Sequence, residues 1–299
     1  MKFKKHADEL VFKNAMEDYQ KEDYQAAFDK FQLLYEDQPS LELNKLIIKS
    51  LLNLNRSTEV EIYINEFKDA YQKDDSLKSK IINYYLDQKK FMVAREYSQN
   101  NLTFKKIIQK AELDYQKDNK LVELEKQLAH ISMFSNDQKS QILESALKLP
   151  AANYLTAAKV SLKDAYLNQF YKTSILLQLM NSNISEKIEL LYIDKNIEVN
   201  LADLSDPFQN SNYLKTADMI YNRFGNDDPI KYQQIMMELN FQIMLMFPKI
   251  DDILNEPIIW LDACLEKLYG ETNFNISPDQ DTILNKISRI NEMEFNFFN

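Results

Sequence analysis

Apolar residues recur at helical steps on both sides of a polar break in Ala15 to Pro39, AMEDYQKEDYQAAFDKFQLLYEDQP. The pattern predicts two short amphipathic helices joined by a tight turn at Lys21-Glu22-Asp23. Pro39 closes the second, because it has no amide to donate and biases its predecessor away from helical torsions. The pattern then returns. Ala27, Val60 and Ala94 stand 33 and 34 residues apart, as do Ala15, Ile48 and Ile82, and Phe31, Ile64 and Ser98. Tyr19, Leu52 and Leu86 follow the same spacing, and a polar turn precedes each second helix at Lys21 to Tyr24, Leu54 to Ser57 and Gln88 to Phe91. One helical hairpin cannot bury its own apolar face, so repeated hairpins must stack.

Farther along, Ala111 to Lys117 echoes Ala15 to Lys21, and Leu121, Leu124, Leu128 and Ile131 share one face of a helix ending near Met133. Ser135 to Lys139 marks a polar break, and the expected domains are 1–137, a helical repeat array, and 138–299, a mainly helical domain. Beyond it the pattern predicts helices at 138–149, 151–167, 170–180, 213–224, 230–247, 260–269 and 279–293. Residues 187–202 break the rhythm. Ile188 to Ile193 and Ile197 to Leu201 are rich in β-branched and aromatic residues around a turn-like Asp194-Lys195-Asn196, which predicts a β-hairpin. The expected fold class is mainly all-α: an α-α superhelix of helical hairpins, then a mostly helical domain with one small hairpin.

On Ala15, Tyr24, Ala27-x3-Phe31 and Pro39 in the first repeat, with weaker echoes 33–34 residues apart in the second and third, residues 10–100 resemble the tetratricopeptide repeat (TPR) family. The match departs from the family pattern where Val11 stands for its tryptophan, Asp18 for its tyrosine, and Ile48 and Ile82 for small residues. As a whole the chain is similar to TPR-containing proteins of about this size from low-GC Gram-positive bacteria (Firmicutes), a group that carries no assigned activity. The resemblance implies that the first helix of each repeat lines a concave, peptide-binding groove. Its positions here are Phe12, Met16, Tyr19 and Gln20, then Lys45, Lys49, Leu52 and Asn53, then Ser79, Asn83, Leu86 and Asp87. Lys45 and Lys49, four residues apart, share a helical face. They read either as a cationic step for a peptide carboxylate or as a solvated face. Phe12 and Met16 replace the lysine and asparagine of the family's carboxylate clamp, so that clamp is not expected.

Composition narrows the function. Two glycines in 299 residues disfavour folds built on glycine-rich phosphate loops or many left-handed turns. A net charge of −10 opposes direct contact with nucleic acid or an anionic membrane. A single cysteine, Cys264, suits a reducing, cytoplasmic setting, and neither a signal peptide nor a membrane span is read. No catalytic, metal or cofactor motif surrounds His6 or His130. Cys264 reads as a buried inert thiol, the acidic pair at 227–228 as a helix cap, that at 251–252 as a loop or first helical turn, that at 74–75 as a chance pair in a carboxylate-rich chain, and the methionine-rich 235–246 as a core helix. The aromatic tail Phe295 to Phe298 is expected to dock on its own domain.

These features lead to a non-catalytic adaptor holding a protein or peptide segment in the groove. One alternative is a peptide-sensing regulator acting through another protein, since the repeats start near Leu10 and leave no room for a DNA-binding helix-turn-helix. Another is an enzyme whose site lies in the C-terminal half.

Overall fold

The computed structural model describes residues 3, 5–99, 101–115, 120–271 and 281–298. It is mainly all-α: 76% helical, with one two-stranded antiparallel sheet. Contacts divide the chain into two compact units, 1–83 and 84–299. The boundary expected at 137/138 falls inside a helix of the second unit, Asn136–Ala146.

The first unit holds α1 (His6–Gln20), α2 (Tyr24–Asp37), α3 (Leu41–Asn53), α4 (Ser57–Glu66), α5 (Lys68–Lys73) and most of α6 (Asp75–Asp87), within which the division falls. Sequence starts and stops these helices locally. Asp23 caps α2 by accepting from the Ala26 amide at 3.1 Å, and Ser40 caps α3 by accepting from Leu43 at 3.3 Å. Gln38, forced out of helical torsions by Pro39, ends α2 with φ −148° and ψ 84°. Glu22, Asn55 and Lys89 all adopt left-handed torsions, with φ of 64°, 58° and 58°. After each, an amide reaches back five residues: Asp23 to the Asp18 carbonyl at 3.0 Å, Arg56 to Leu51 at 3.0 Å and Lys90 to Tyr85 at 2.8 Å. This pattern closes the orphaned carbonyls of a helix end. Three of the four sets spaced by 33–34 residues are buried, at Ala15, Ile48 and Ile82, at Ala27, Val60 and Ala94, and at Phe31, Ile64 and Ser98, whereas Tyr19 and Leu86 are half-buried and Leu52 is exposed. The unit also carries a polar centre. Asn44, fully buried, donates to the Tyr63 carbonyl at 2.9 Å and accepts from the Tyr71 hydroxyl at 2.8 Å, joining α3, α4 and α5.

The second unit continues with α7 (Phe91–Ser98), α8 (Leu102–Tyr115), α9 (Lys120–Ala129), α10 (Asn136–Ala146), α11 (Ala151–Ser161) and α12 (Gln169–Asn181). The hairpin β1 (Lys187–Tyr192) and β2 (Lys195–Asn200) follows, then α13 (Ser211–Phe224), α14 (Pro229–Met246), α15 (Pro257–Tyr269) and α16 (Asp281–Phe298). The methionine-rich α14 is a core helix that packs on α12, α13, α15 and α16 and buries Ile235, Leu239, Ile243, Leu245 and Met246. Helix α12 is also buried on most of its circumference, as a helix without a polar face must be. Gly270, with φ 68°, caps α15. No described helix is long and apolar enough to cross a membrane.

Several expected bounds shift for tertiary reasons. Helix α11 stops at Ser161, not 167, because the Leu162 carbonyl leaves the helix and accepts from the Leu191 amide of β1 at 3.0 Å. The hairpin turn is Ile193-Asp194, not Asp194 to Asn196, because Tyr192 pairs with Lys195. That register puts Ile188, Leu190, Tyr192 and Val199 together on the buried face. Helix α16 runs on through the aromatic tail to Phe298, where the Phe297 ring packs on Phe170, Tyr171 and Phe241. Its expected start at Asp279 and Gln280, and the end of the 111–117 echo at Gln116 and Lys117, lie outside the described residues.

Candidate functional site

The expected groove residues fall on three helices. On α1, Met16 and Tyr19 are half-buried and Gln20 is exposed, while Phe12 stacks between Phe3 at 5.3 Å and Phe31 of α2 at 6.0 Å. On α3, Lys45 is half-buried, and Lys49, Leu52 and Asn53 are exposed. The two helices meet through these residues. The Asn53 amide donates to the Tyr19 hydroxyl at 3.4 Å and to the Lys49 carbonyl at 2.8 Å. Tyr19 also packs edge-on against Tyr24 at 5.3 Å. Neither Lys45 nor Lys49 has an ion-pair partner among the described residues. On α6, Asn83 is exposed and Ser79 half-buried. Asp87, one helical turn beyond Asn83, belongs to the second compact unit.

A second place, which sequence reasoning did not single out residue by residue, lies beside the hairpin in the second unit. A cavity of about 300 Å³ is lined by the 165–168 loop, Gln169 and Lys172 of α12, Leu191, Ile193 and Asp194 of the hairpin, and Arg289, Met293 and Asn296 of α16. Lys172 is only 3% exposed. Its ammonium donates to the Leu191 carbonyl at 2.8 Å and, among the described residues, forms no salt bridge and leaves two N–H donors without a partner. Burial lowers its pKa to about 8, against the pull of Asp164. Arg289 is committed differently: it donates to Asp194 at 2.6 Å and to Glu292 at 2.7 Å, and these hydrogen bonds raise its pKa. Ile193, in the cavity wall, has φ 45°, an outlier for a β-branched side chain. A lysine inside the apolar run of α12 was the available sequence signal.

A third polar cluster ties α14, α15 and α16. Lys267 donates to Glu238 at 2.6 Å and to Glu294 at 2.7 Å. The Gln242 amide donates to Glu238, to Asn291 at 2.8 Å and to Glu294 at 3.0 Å, while its oxygen accepts from the Trp260 indole at 3.0 Å. Burial and the facing Glu294 raise the Glu238 pKa, opposed by Lys267. The cluster is internally paired and reads as a structural tie.

The remaining candidates are structural. Cys264 is buried, and burial pushes its thiol up to about 12, far from a reactive thiolate. His6 and His130 are exposed. Asp74 and Asp228 cap helices by accepting from the Leu77 and Lys231 amides, and Asp251 accepts from Asn210 and Asn212. No family model, curated protein or solved structure matches the chain.

Proposed function

We propose that the chain is a non-catalytic binding protein of the TPR type, holding an acidic peptide segment of a partner protein against α1 and α3. The carrying observation is the hydrogen bond from the Asn53 amide to the Tyr19 hydroxyl at 3.4 Å. It joins the first helices of two successive hairpins, α1 and α3, at residues expected to line the groove. Lys45 and Lys49 sit on the same helix as Asn53 without an ion partner among the described residues. Two cations on α3, with half-buried Met16 and Tyr19 on α1, suit a ligand that carries both a carboxylate and apolar side chains. The recurrent left-handed stops at Glu22, Asn55 and Lys89 support the repeat reading, although Asn183 and Gly270 stop other helices in the same way. The buried thiol and the acidic balance are compatible with work in the cytoplasm.

The test is fluorescence polarisation with short peptides differing in charge, on the unaltered protein and on Lys45→Glu/Lys49→Glu. Acidic peptides should bind the unaltered protein and lose at least about tenfold in affinity on charge reversal, with greater loss at low salt. Equal binding by both proteins, or preference for basic peptides, rules this surface out. Circular dichroism on the variant separates lost binding from lost fold.

A further inference from the structure

The cavity beside the hairpin poses a separate question, since Lys172 ties α12 to the Leu191 carbonyl through only one of its three N–H donors. Its neighbours on the helix, Tyr171, Thr173, Ile175 and Leu176, are buried, and an aliphatic residue would fill the same space without the cost of desolvating a charge. Instead an ammonium lies at the cavity with one backbone carbonyl as its partner and two donors left over. A volume of about 300 Å³ is at the lower end of the roughly 300–1,000 Å³ that small-molecule sites occupy.

The lining has two characters. Leu167, Leu191, Ile193 and Met293 are apolar, whereas Lys172 and the unbonded Asn296 amide offer hydrogen-bond donors. The Arg289 charge is already met by Asp194 and Glu292, so Lys172 is the lining cation with no carboxylate bonded to it among the described residues. One ammonium with free donors, its nearest named carboxylate Asp164 not bonded to it, matches a monoanion, and the apolar wall matches a carbon chain or ring. We propose that this cavity binds a small organic monocarboxylate, its carboxylate on Lys172 and its apolar body along Leu167, Leu191, Ile193 and Met293. A phosphate would bring a second negative charge with no cation to receive it.

Binding then depends on the charge of Lys172. The charged and titratable groups around it are Asp164 and Tyr166 in the 162–168 segment, Asp194 in the hairpin turn, and Arg289 and Glu292 on α16. With an amine pKa of about 8, the protonated share falls about tenfold from pH 7 to pH 9, and carboxylate affinity falls with it. An exposed surface lysine would stay protonated over that range.

Isothermal titration of the full chain with butyrate, butyramide and inorganic phosphate tests the proposal. Butyrate should bind at pH 7, about tenfold more weakly at pH 9, and butyramide at least about tenfold more weakly than butyrate at pH 7. Lys172→Met, which keeps the aliphatic stem, should abolish butyrate binding while preserving the helical spectrum. If that variant does not fold, the comparison of butyrate with butyramide on the unaltered protein decides. Absence of butyrate binding, or binding of butyramide or phosphate as tight as that of butyrate, would each overturn the assignment. Because all of its residues lie in the second unit, this result is independent of the peptide test on α1 and α3.

Discussion

At the scale of single residues, the chain handles its helix ends almost without glycine. Gly270 is the one glycine at a left-handed stop, while Glu22, Asn55, Lys89 and Asn183 hold positive φ at helix ends with side chains attached. The turns themselves were legible, since Lys21-Glu22-Asp23 is polar and lies between two apolar patterns. Their handedness was not, because glutamate and lysine carry no preference for it. Asparagine tolerates this region better than glutamate does, so the two positions should answer differently to glycine. Glu22→Gly should stabilise the first unit by about 0.5–1 kcal/mol and Asn55→Gly by much less. Urea denaturation followed by circular dichroism measures both; an equal gain at the two positions would show that left-handed strain is not what glycine relieves.

At the scale of elements, the helices were readable from their apolar steps, and their ends failed where a distant partner intervenes. Nothing local in 162–167 announces that the Leu162 carbonyl belongs to β1. The buried polar ties were illegible for a related reason. Glu238 and Gln242 lie four residues apart on α14, a spacing that in sequence looks like a solvated face, and their partners come from α15 and α16. Likewise Arg95 of α7 grips Glu112 of α8 through two bonds of 2.7 Å, and Glu112 also accepts from the Ala151 amide at the start of α11. Such pairs cost most when half is removed. Lys267→Met leaves Glu238 and Glu294 facing each other with no cation, and should destabilise the protein by about 2 kcal/mol at pH 7. The sign with pH follows from Glu238, whose folded pKa is raised. Its protonated form favours the folded state, and that contribution is fully present below the ordinary glutamate pKa and lost as pH rises through the raised value. Removing Lys267 raises it further, so the penalty should be largest near neutrality and shrink toward pH 4.5. A penalty that grows on acidification would contradict this pairing.

At the scale of the whole molecule, the two units differ in what stabilises them. The first has about eighty residues and short helices, with cores of paired hairpin faces such as Ala27, Phe31, Ile47 and Val60. The second gathers about two hundred residues on α12 and α14, with largely buried ion pairs such as Arg95 with Glu112 in addition. Small cores bury a smaller share of their surface and are correspondingly marginal. The chain carries its own reporter for this difference, because Trp260 is its only tryptophan, is 1% exposed, and bonds Gln242 in the second unit. Indole fluorescence therefore follows the second unit alone, whereas far-ultraviolet circular dichroism follows helices in both. A urea titration should show ellipticity falling before fluorescence changes, with the early step accounting for the smaller share of the signal. Lys267→Met, which loosens the cluster around Trp260, should move the fluorescence midpoint to lower urea and leave the early step where it was. Coincident transitions in the unaltered protein, or an early step that shifts with Lys267→Met, would mean that the two units unfold as one.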